Sequence, residues 1–283
     1  MSAPSASAAL PDPARTAVVL SSSFLGAYAH VGFLNALDQA HFTPARLAGA
    51  SAGALAGAMF ASGLRGEALR DAATHPALRS AFLDIGGLWR WPGVATSLWS
   101  SGIFHGKRLV RHLHDLLGER DLADLPLPLD IAVTNVLETR TEIRQRGPLA
   151  EFVMASCAVP GLFAIQTIDG ERFLDGGIAA EHPYEHLIDD PQIDTILIHR
   201  IDHQPGSGPN PSWENSFQAV GASHATTSCE LHRLRQRRAT DAKKSLIEVH
   251  TLTPFPGLFR HRRALECYQL GFDSGQSFCR PTA

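Results

Sequence analysis

The sequence predicts an α/β layer fold built on a mostly parallel sheet. Three observations predict it. Apolar, β-branched runs of strand length alternate with helical patterns along most of the chain. Two successive segments near the start each read as strand, small-residue turn, helix. The 283 residues, 44% hydrophobic and 19% charged, suit one sizeable packed core.

The elements follow in order. "MSAPSASAALPDPAR" has no basic residue before Arg15 and no apolar core, so residues 1–14 are expected as a disordered tail and 15–283 as one domain. "TAVVLS" (16–21) reads as a buried strand. In 25–40, Ala29, Gly32, Phe33, Ala36 and Leu37 fall at helical spacing. "ARLAG" then leads into Ser51, and "AGALAGAMFASGL" reads as a buried helix of small residues. Segments 128–139 and 141–146 read as paired strands. "TIDGERFLDGG" predicts a hairpin about Asp169-Gly170 and a strand ending at Asp175. Two more strands are expected at 194–201 and 245–252, and helices at 107–117, 212–237 and 262–279. "HQPGSGPNPS" (203–212) is a surface loop rather than a domain boundary, since core strands flank it. Segment 80–105, with Trp89, Trp91 and Trp99, reads either as a packed connector or as an apolar lid or acyl-chain wall.

Bulk properties exclude several functions. A formal net charge of −3 gives no reason to expect nucleic acid as a partner. No apolar run reaches the length of a membrane span. The cysteines, Cys157, Cys229, Cys267 and Cys279, include no C-x-x-C pair. A long chain with so few reads as reduced, and a cytoplasmic location is expected.

Gly49-Ala50-Ser51-Ala52-Gly53 has the spacing G-x-S-x-G. That pattern marks a sharp strand-to-helix turn presenting a nucleophilic serine. By chance it would occur about one time in seven in a chain of this composition, so it needs its context. The context is a strand before and a helix after, whose N-terminal N–H groups favour negative charge. The Ala52 N–H could then donate to an oxyanion. Asp175, at the end of an apolar strand against two glycines, lies where such sheets carry functional residues. It also reads simply as the start of an Asp-Gly turn.

Three segments together resemble the patatin-like phospholipase family: "SSSFLGAYAHVGFL", "GASAG" and "FVMASCAVPGLFAIQTIDGERFLDGG", in the family's order across residues 17 to 183. The resemblance implies a three-layer α/β/α fold and hydrolysis of lipid acyl esters through a Ser-Asp dyad, with no cofactor and no metal. It makes Ser51 the nucleophile and Asp175 its proton acceptor. An ordinary Asp has a pKa near 3.9 and is a weak base for a hydroxyl, so burial must raise it.

The chain departs from the family's oxyanion turn, which commonly has three glycines, a variable residue, a basic residue and a glycine. Here the stretch is Ser21-Ser22-Ser23-Phe24-Leu25-Gly26. By position the backbone N–H groups of Ser22 and Ser23 become the donors, and Leu25 replaces the charge, which makes it a candidate for substrate selectivity. One branch of the family, which includes neutral-lipid lipases, has a similar F-L-G. Glu181 stands where the family often has Asn.

Other clusters are less specific. His182 and His186 are four apart, as on one face of a metal-binding helix, but no third ligand accompanies them. His112 and His114 point to different helix faces. The basic stretches 232–238 and 260–263 read as solvated helix faces or as a transient contact with anionic headgroups at a membrane surface. The expected partner is a lipid or fatty-acyl ester. The first expectation is therefore a lipid acyl hydrolase. Its rivals are a lipid acyltransferase, a lipid-binding protein that lost catalysis, and a Ser-His-Asp hydrolase using His250.

Overall fold

The computed structural model describes residues 10–23, 25–83, 101–204, 216–256 and 261–280. Its central sheet has the strand order β10-β9-β1-β2-β4-β8-β7, with β5 also paired to β4. These strands are β1 (Thr16–Leu20), β2 (Arg46–Gly49), β4 (Leu129–Asn135), β5 (Arg140–Arg144), β7 (Gln166–Ile168), β8 (Glu171–Asp175), β9 (Thr195–His203) and β10 (Ser245–Thr253). From β10 to β4 every pairing is parallel, while β5, β8 and β7 join antiparallel. A separate small sheet pairs β3 (Gly102–Phe104) with β6 (Gly161–Phe163).

Alternation along β1 explains the layers. Val18 and Leu20 enter one core with Phe33 and Leu34 of α1 (Ala27–Gln39), Leu55 and Met59 of α2 (Ala52–Ala61) and Val153 of α6 (Leu149–Ser156). Ala17 and Val19 enter a second core on the opposite face, with Leu187 and Ile188 of α7 (Glu185–Ile188) and Ala239 of α8 (Ser216–Asp241). A strand buried on both faces must be apolar at every position, which is why "TAVVL" shows no polar alternation. The expected three-layer α/β/α architecture with a mostly parallel sheet is the one observed. The remaining helices are α3 (Gly66–Thr74), α4 (Pro76–Ala81), α5 (Lys107–Leu117) and α9 (His261–Cys279).

Helix α9 lies directly on α1. A Cβ at Gly271 would fall 2.0 Å from the Ala29 carbonyl oxygen, and one at Gly32 equally close to that of Tyr268. Only glycine at both sites allows the two backbones so near.

The described residues begin at Leu10. Asp12 caps a 3-10 turn, Pro13–Arg15, and the Pro13 carbonyl accepts the Ala45 N–H. The Trp-rich stretch falls largely on 84–100, outside the described residues, as do most of the 203–212 loop and Phe24.

Candidate active site

The edge of β4 explains how two distant residues meet. β2 pairs with the first half of that edge, ending with Gly49 opposite Ile131. Two residues further along the same strand, Val133 pairs with Asp175 of β8. Where β2 leaves the sheet at its turn, β8 takes over. Ser51, on that turn, and Asp175 consequently share one spot, and the Ser51 hydroxyl hydrogen-bonds the Asp175 carboxylate.

The turn itself is tight. Ser51 has φ 52° and ψ −116°, a left-handed conformation that a side chain rarely adopts and that costs on the order of 1–3 kcal/mol. Its flanks explain why it persists. A Cβ on Gly53 would lie 2.2 Å from the Leu20 carbonyl oxygen, and one on Gly49 would lie 2.5 Å from the Gly53 backbone. The Ser51 N–H donates to Ser156 Oγ at 2.8 Å, and Ser156 Oγ donates to the Ala132 carbonyl at 2.7 Å. One buried hydroxyl thus ties the turn to β4.

Asp175 is 4% exposed. Burial pushes its carboxyl up to about 7, while the Gly177 N–H, donating to Oδ1 at 2.7 Å, and the Ser51 hydroxyl pull it down. A carboxylate held there can accept a proton from a hydroxyl near neutral pH. Cys157, read from sequence only as core, is buried but also borders the site. Its thiol touches Ser51 and is pushed well up, chiefly by burial and secondarily by the Asp175 charge.

Both residues open onto a cavity of about 710 Å³. Leu55, Leu78, Phe82, Leu162 and Phe163 give it an apolar wall, and Ser23, Leu25 and Ala52 lie along it. Phe82, Leu83 and Phe104, at the ends of the Trp-rich segment, line it too, which fits the wall reading at those ends. Sequence reasoning missed Arg79 on α4, 7% exposed and on the same wall. Burial raises the Tyr28 phenol to about 12, opposed by the Arg79 charge. A lone Arg in a short helix carries no signal of that placement.

One expected donor is corrected. The Ser22 N–H donates to the Glu181 carbonyl at 2.8 Å, so it is engaged and not offered to an oxyanion. The position of a serine in the turn could not reveal that its peptide faces the carbonyl of a loop residue far along the chain. Ser23 and Ala52 remain as the candidate backbone donors. Leu25 has φ 56°, another left-handed residue.

Other candidates lie elsewhere. His250, 50% exposed, pairs with Asp202 at 3.0 Å and is not among the residues lining the cavity. His182 precedes α7 rather than sharing a helix with His186. It lies against His232, while His186 pairs with Asp130 at 2.7 Å. No metal-binding cluster occurs among the described residues. Within the basic stretch of α8, Arg233, Arg235 and Arg238 pair with Glu230, Glu185 and Asp189.

The family model for patatin-like phospholipase matches residues 18–188, more than half of the chain and the segment holding both Ser51 and Asp175. The chain belongs to the patatin-like phospholipase family. Among related members, an uncharacterized NTE family protein of Mycobacterium tuberculosis is 30% identical over 164 residues, covering 58% of this chain and 43% of that protein. The lysophospholipase nte1 of Aspergillus fumigatus is 27% identical over 162 residues, 56% of this chain and 10% of its own length. The chain thus spans less than half of either relative. Among solved structures, VipD from Legionella pneumophila matches with a TM-score of 0.55 at 16% identity, over 94% of this chain and 67% of that one. This likeness covers more of the chain than the family model's match does. Among the described residues, no helix of this patatin-like chain is long and apolar enough to cross a membrane.

Proposed function

We propose that the protein hydrolyses acyl esters of lipids, with Ser51 as nucleophile and Asp175 as its base. The observation that carries this reading is the convergence of a strained, cavity-facing serine with a buried carboxylate raised to about 7. In the proposed reaction Asp175 takes the hydroxyl proton as Ser51 attacks the carbonyl carbon. The Ser23 and Ala52 N–H groups hold the oxyanion, and the protonated Asp175 returns the proton to the departing alcohol. Water then attacks the acyl-serine, again giving its proton to Asp175, and the fatty acid leaves with Ser51 restored. The apolar cavity wall supports an acyl chain as the group bound, and the name of the fungal relative supports a lysophospholipid among the substrates to try.

The test is labelling by a fluorophosphonate together with turnover of a fatty-acyl ester. Ser51→Ala is expected to abolish labelling and lower turnover by at least about 10³-fold. Asp175→Asn is expected to be nearly as damaging, because it keeps the shape and loses the proton acceptor. His250→Ala is expected to leave both unchanged. Substantial turnover by folded Ser51→Ala would replace this reading with a lipid-binding role, and a large loss in His250→Ala would replace the dyad with a triad.

A further inference from the structure

Beneath the oxyanion turn lies a buried polar chain that the proposed chemistry does not use. His30 and His199 are both fully buried. His30 Nε2 lies 2.8 Å from the Ser21 carbonyl oxygen, and the Nδ1 atoms of the two rings are 2.8 Å apart. His199 Nε2 lies 2.8 Å from Thr251 Oγ1 on β10, which in turn lies 2.8 Å from Ser274 Oγ on α9. Phe33 stacks on His199, its ring centroid 4.1 Å away.

The protons in this chain follow from one end. A carbonyl oxygen only accepts, so His30 Nε2 carries a proton. If both rings are neutral, His30 Nδ1 is bare and must accept from the Nδ1–H of His199. His199 Nε2 is then bare and accepts from Thr251, and Ser274 donates to Thr251. The other self-consistent arrangements put a cation on His30 or on His199, and in both His199 Nε2 donates to Thr251, Thr251 to Ser274 and Ser274 to the Leu270 carbonyl. Burial opposes both cationic states: it lowers His30 to about 4 and His199 well below the ordinary value, with His30 and His250 acting on His199 in the same direction.

The far end of the chain bears on the site. The Ser21–Ser22 peptide is held at both ends, its carbonyl by His30 and its N–H by Glu181. Ser21 is fixed further by its N–H on the His199 carbonyl and its Oγ under the Ile201 N–H. One φ/ψ pair separates that peptide from the Ser23 N–H, and Ser23 is held on its far side too, its carbonyl accepting the Gly26 N–H at 3.2 Å and its Oγ lying 3.3 Å from His203 Nε2, so the Ser22–Ser23 peptide is bracketed by fixed neighbours.

We propose that His30 and His199 are positioning residues. They aim the Ser23 N–H by locking the Ser21–Ser22 peptide, and they tie it to Thr251 and Ser274, outside the segment that matches the family model. The functional part of this inference rests on the acyl-hydrolase reading above.

The test combines nitrogen-15 NMR with labelling kinetics. In the wild-type protein at pH 7, His30 is expected neutral with its proton on Nε2, and His199 neutral with its proton on Nδ1. A proton on His199 Nε2 overturns the chain. Thr251→Val removes the hydroxyl at nearly constant volume and leaves His199 Nε2 without a donor. It is expected to move the Ser23 amide resonance and slow fluorophosphonate labelling on the order of tenfold, the effect of one lost hydrogen bond. The KM for an ester is expected to stay within about twofold, since the acyl wall is untouched. Thr251→Ser, which keeps the hydroxyl, is expected to restore both readouts whatever its thermal stability. An unmoved Ser23 amide and an unchanged labelling rate in folded Thr251→Val refute the proposal. If Thr251→Val does not fold, Ser274→Ala carries the same expectations. If wild-type Ser51 does not label at all, the hydrolase reading fails by itself, and the Ser23 amide shift still decides whether the chain orients the turn.

Discussion

At Asp175, stability and chemistry pull in opposite directions with pH. Burial raises its carboxyl from the ordinary value of 3.8 to about 7 in the folded protein. Below 3.8 the group is neutral in both states and its burial carries no ionic penalty. Between 3.8 and 7 the unfolded chain loses the proton first, so folding stability falls as pH rises, and the loss is complete above about 7. Asp175→Asn is neutral at every pH. It is therefore expected to stabilise the fold by about 2–4 kcal/mol at pH 8 and by much less at pH 4, measured by denaturant unfolding. The proposed reaction needs the ionised form, so kcat/KM is expected to climb about tenfold per pH unit up to near 7 and then level. Equal stability gains at both pH values, or a profile flat from pH 5 upward, would contradict this account of the residue.

At the scale of the element, the strand-to-helix turn depends on a partner 105 residues away, because Ser156 Oγ bridges the Ser51 N–H and the Ala132 carbonyl. Ser156→Ala leaves both groups buried without that bridge. A loss of about 1–3 kcal/mol of stability is expected, along with slower labelling of Ser51, whose strained φ is then less firmly held. An unchanged unfolding midpoint would show that water or a neighbouring group replaces the hydroxyl. The turn was legible in the sequence because its requirements are local: small residues either side of the serine, a strand before and a helix after. The hairpin was legible for the same reason, with Asp169 and Gly170 both at positive φ, 50° and 83°. The role of Ser156 was not legible, since nothing in "ASCAVP" says which amide its hydroxyl receives. Ser22 was misassigned because the use of a backbone N–H is decided by whichever carbonyl folds against it, here that of Glu181. His182 and His186 failed as a helical pair because the helix starts only at Glu185.

For the molecule as a whole, the layered fold was legible because strands buried on two faces are apolar throughout, whereas the order of the strands was not. No local pattern says that β8 takes over the edge of β4 where β2 leaves it, although that exchange brings Asp175 to Ser51. Substrate choice also belongs to this scale, since several elements build the cavity. Leu25 puts apolar surface on the oxyanion turn, so uncharged esters such as monoacylglycerols are expected to match or exceed phospholipids of equal chain length in kcat/KM. Leu25→Arg is expected to shift the ratio toward phospholipid by about 10- to 150-fold, the range for a charged hydrogen bond of about 1.5–3 kcal/mol, with Leu25→Met as the size control. A strong wild-type preference for phospholipid would transfer the selectivity to Arg79, the cation on the α4 wall. The glycine contact between α1 and α9 bears on time rather than on substrate. Helix α1 follows directly from the oxyanion turn, and its close-packed partner Gly271 is made long after Ser51 and Asp175. A ribosome-bound chain therefore holds Ser51 for much of its synthesis before the helix that packs on α1 exists, so the α1 face stays uncovered until the last residues of the domain emerge.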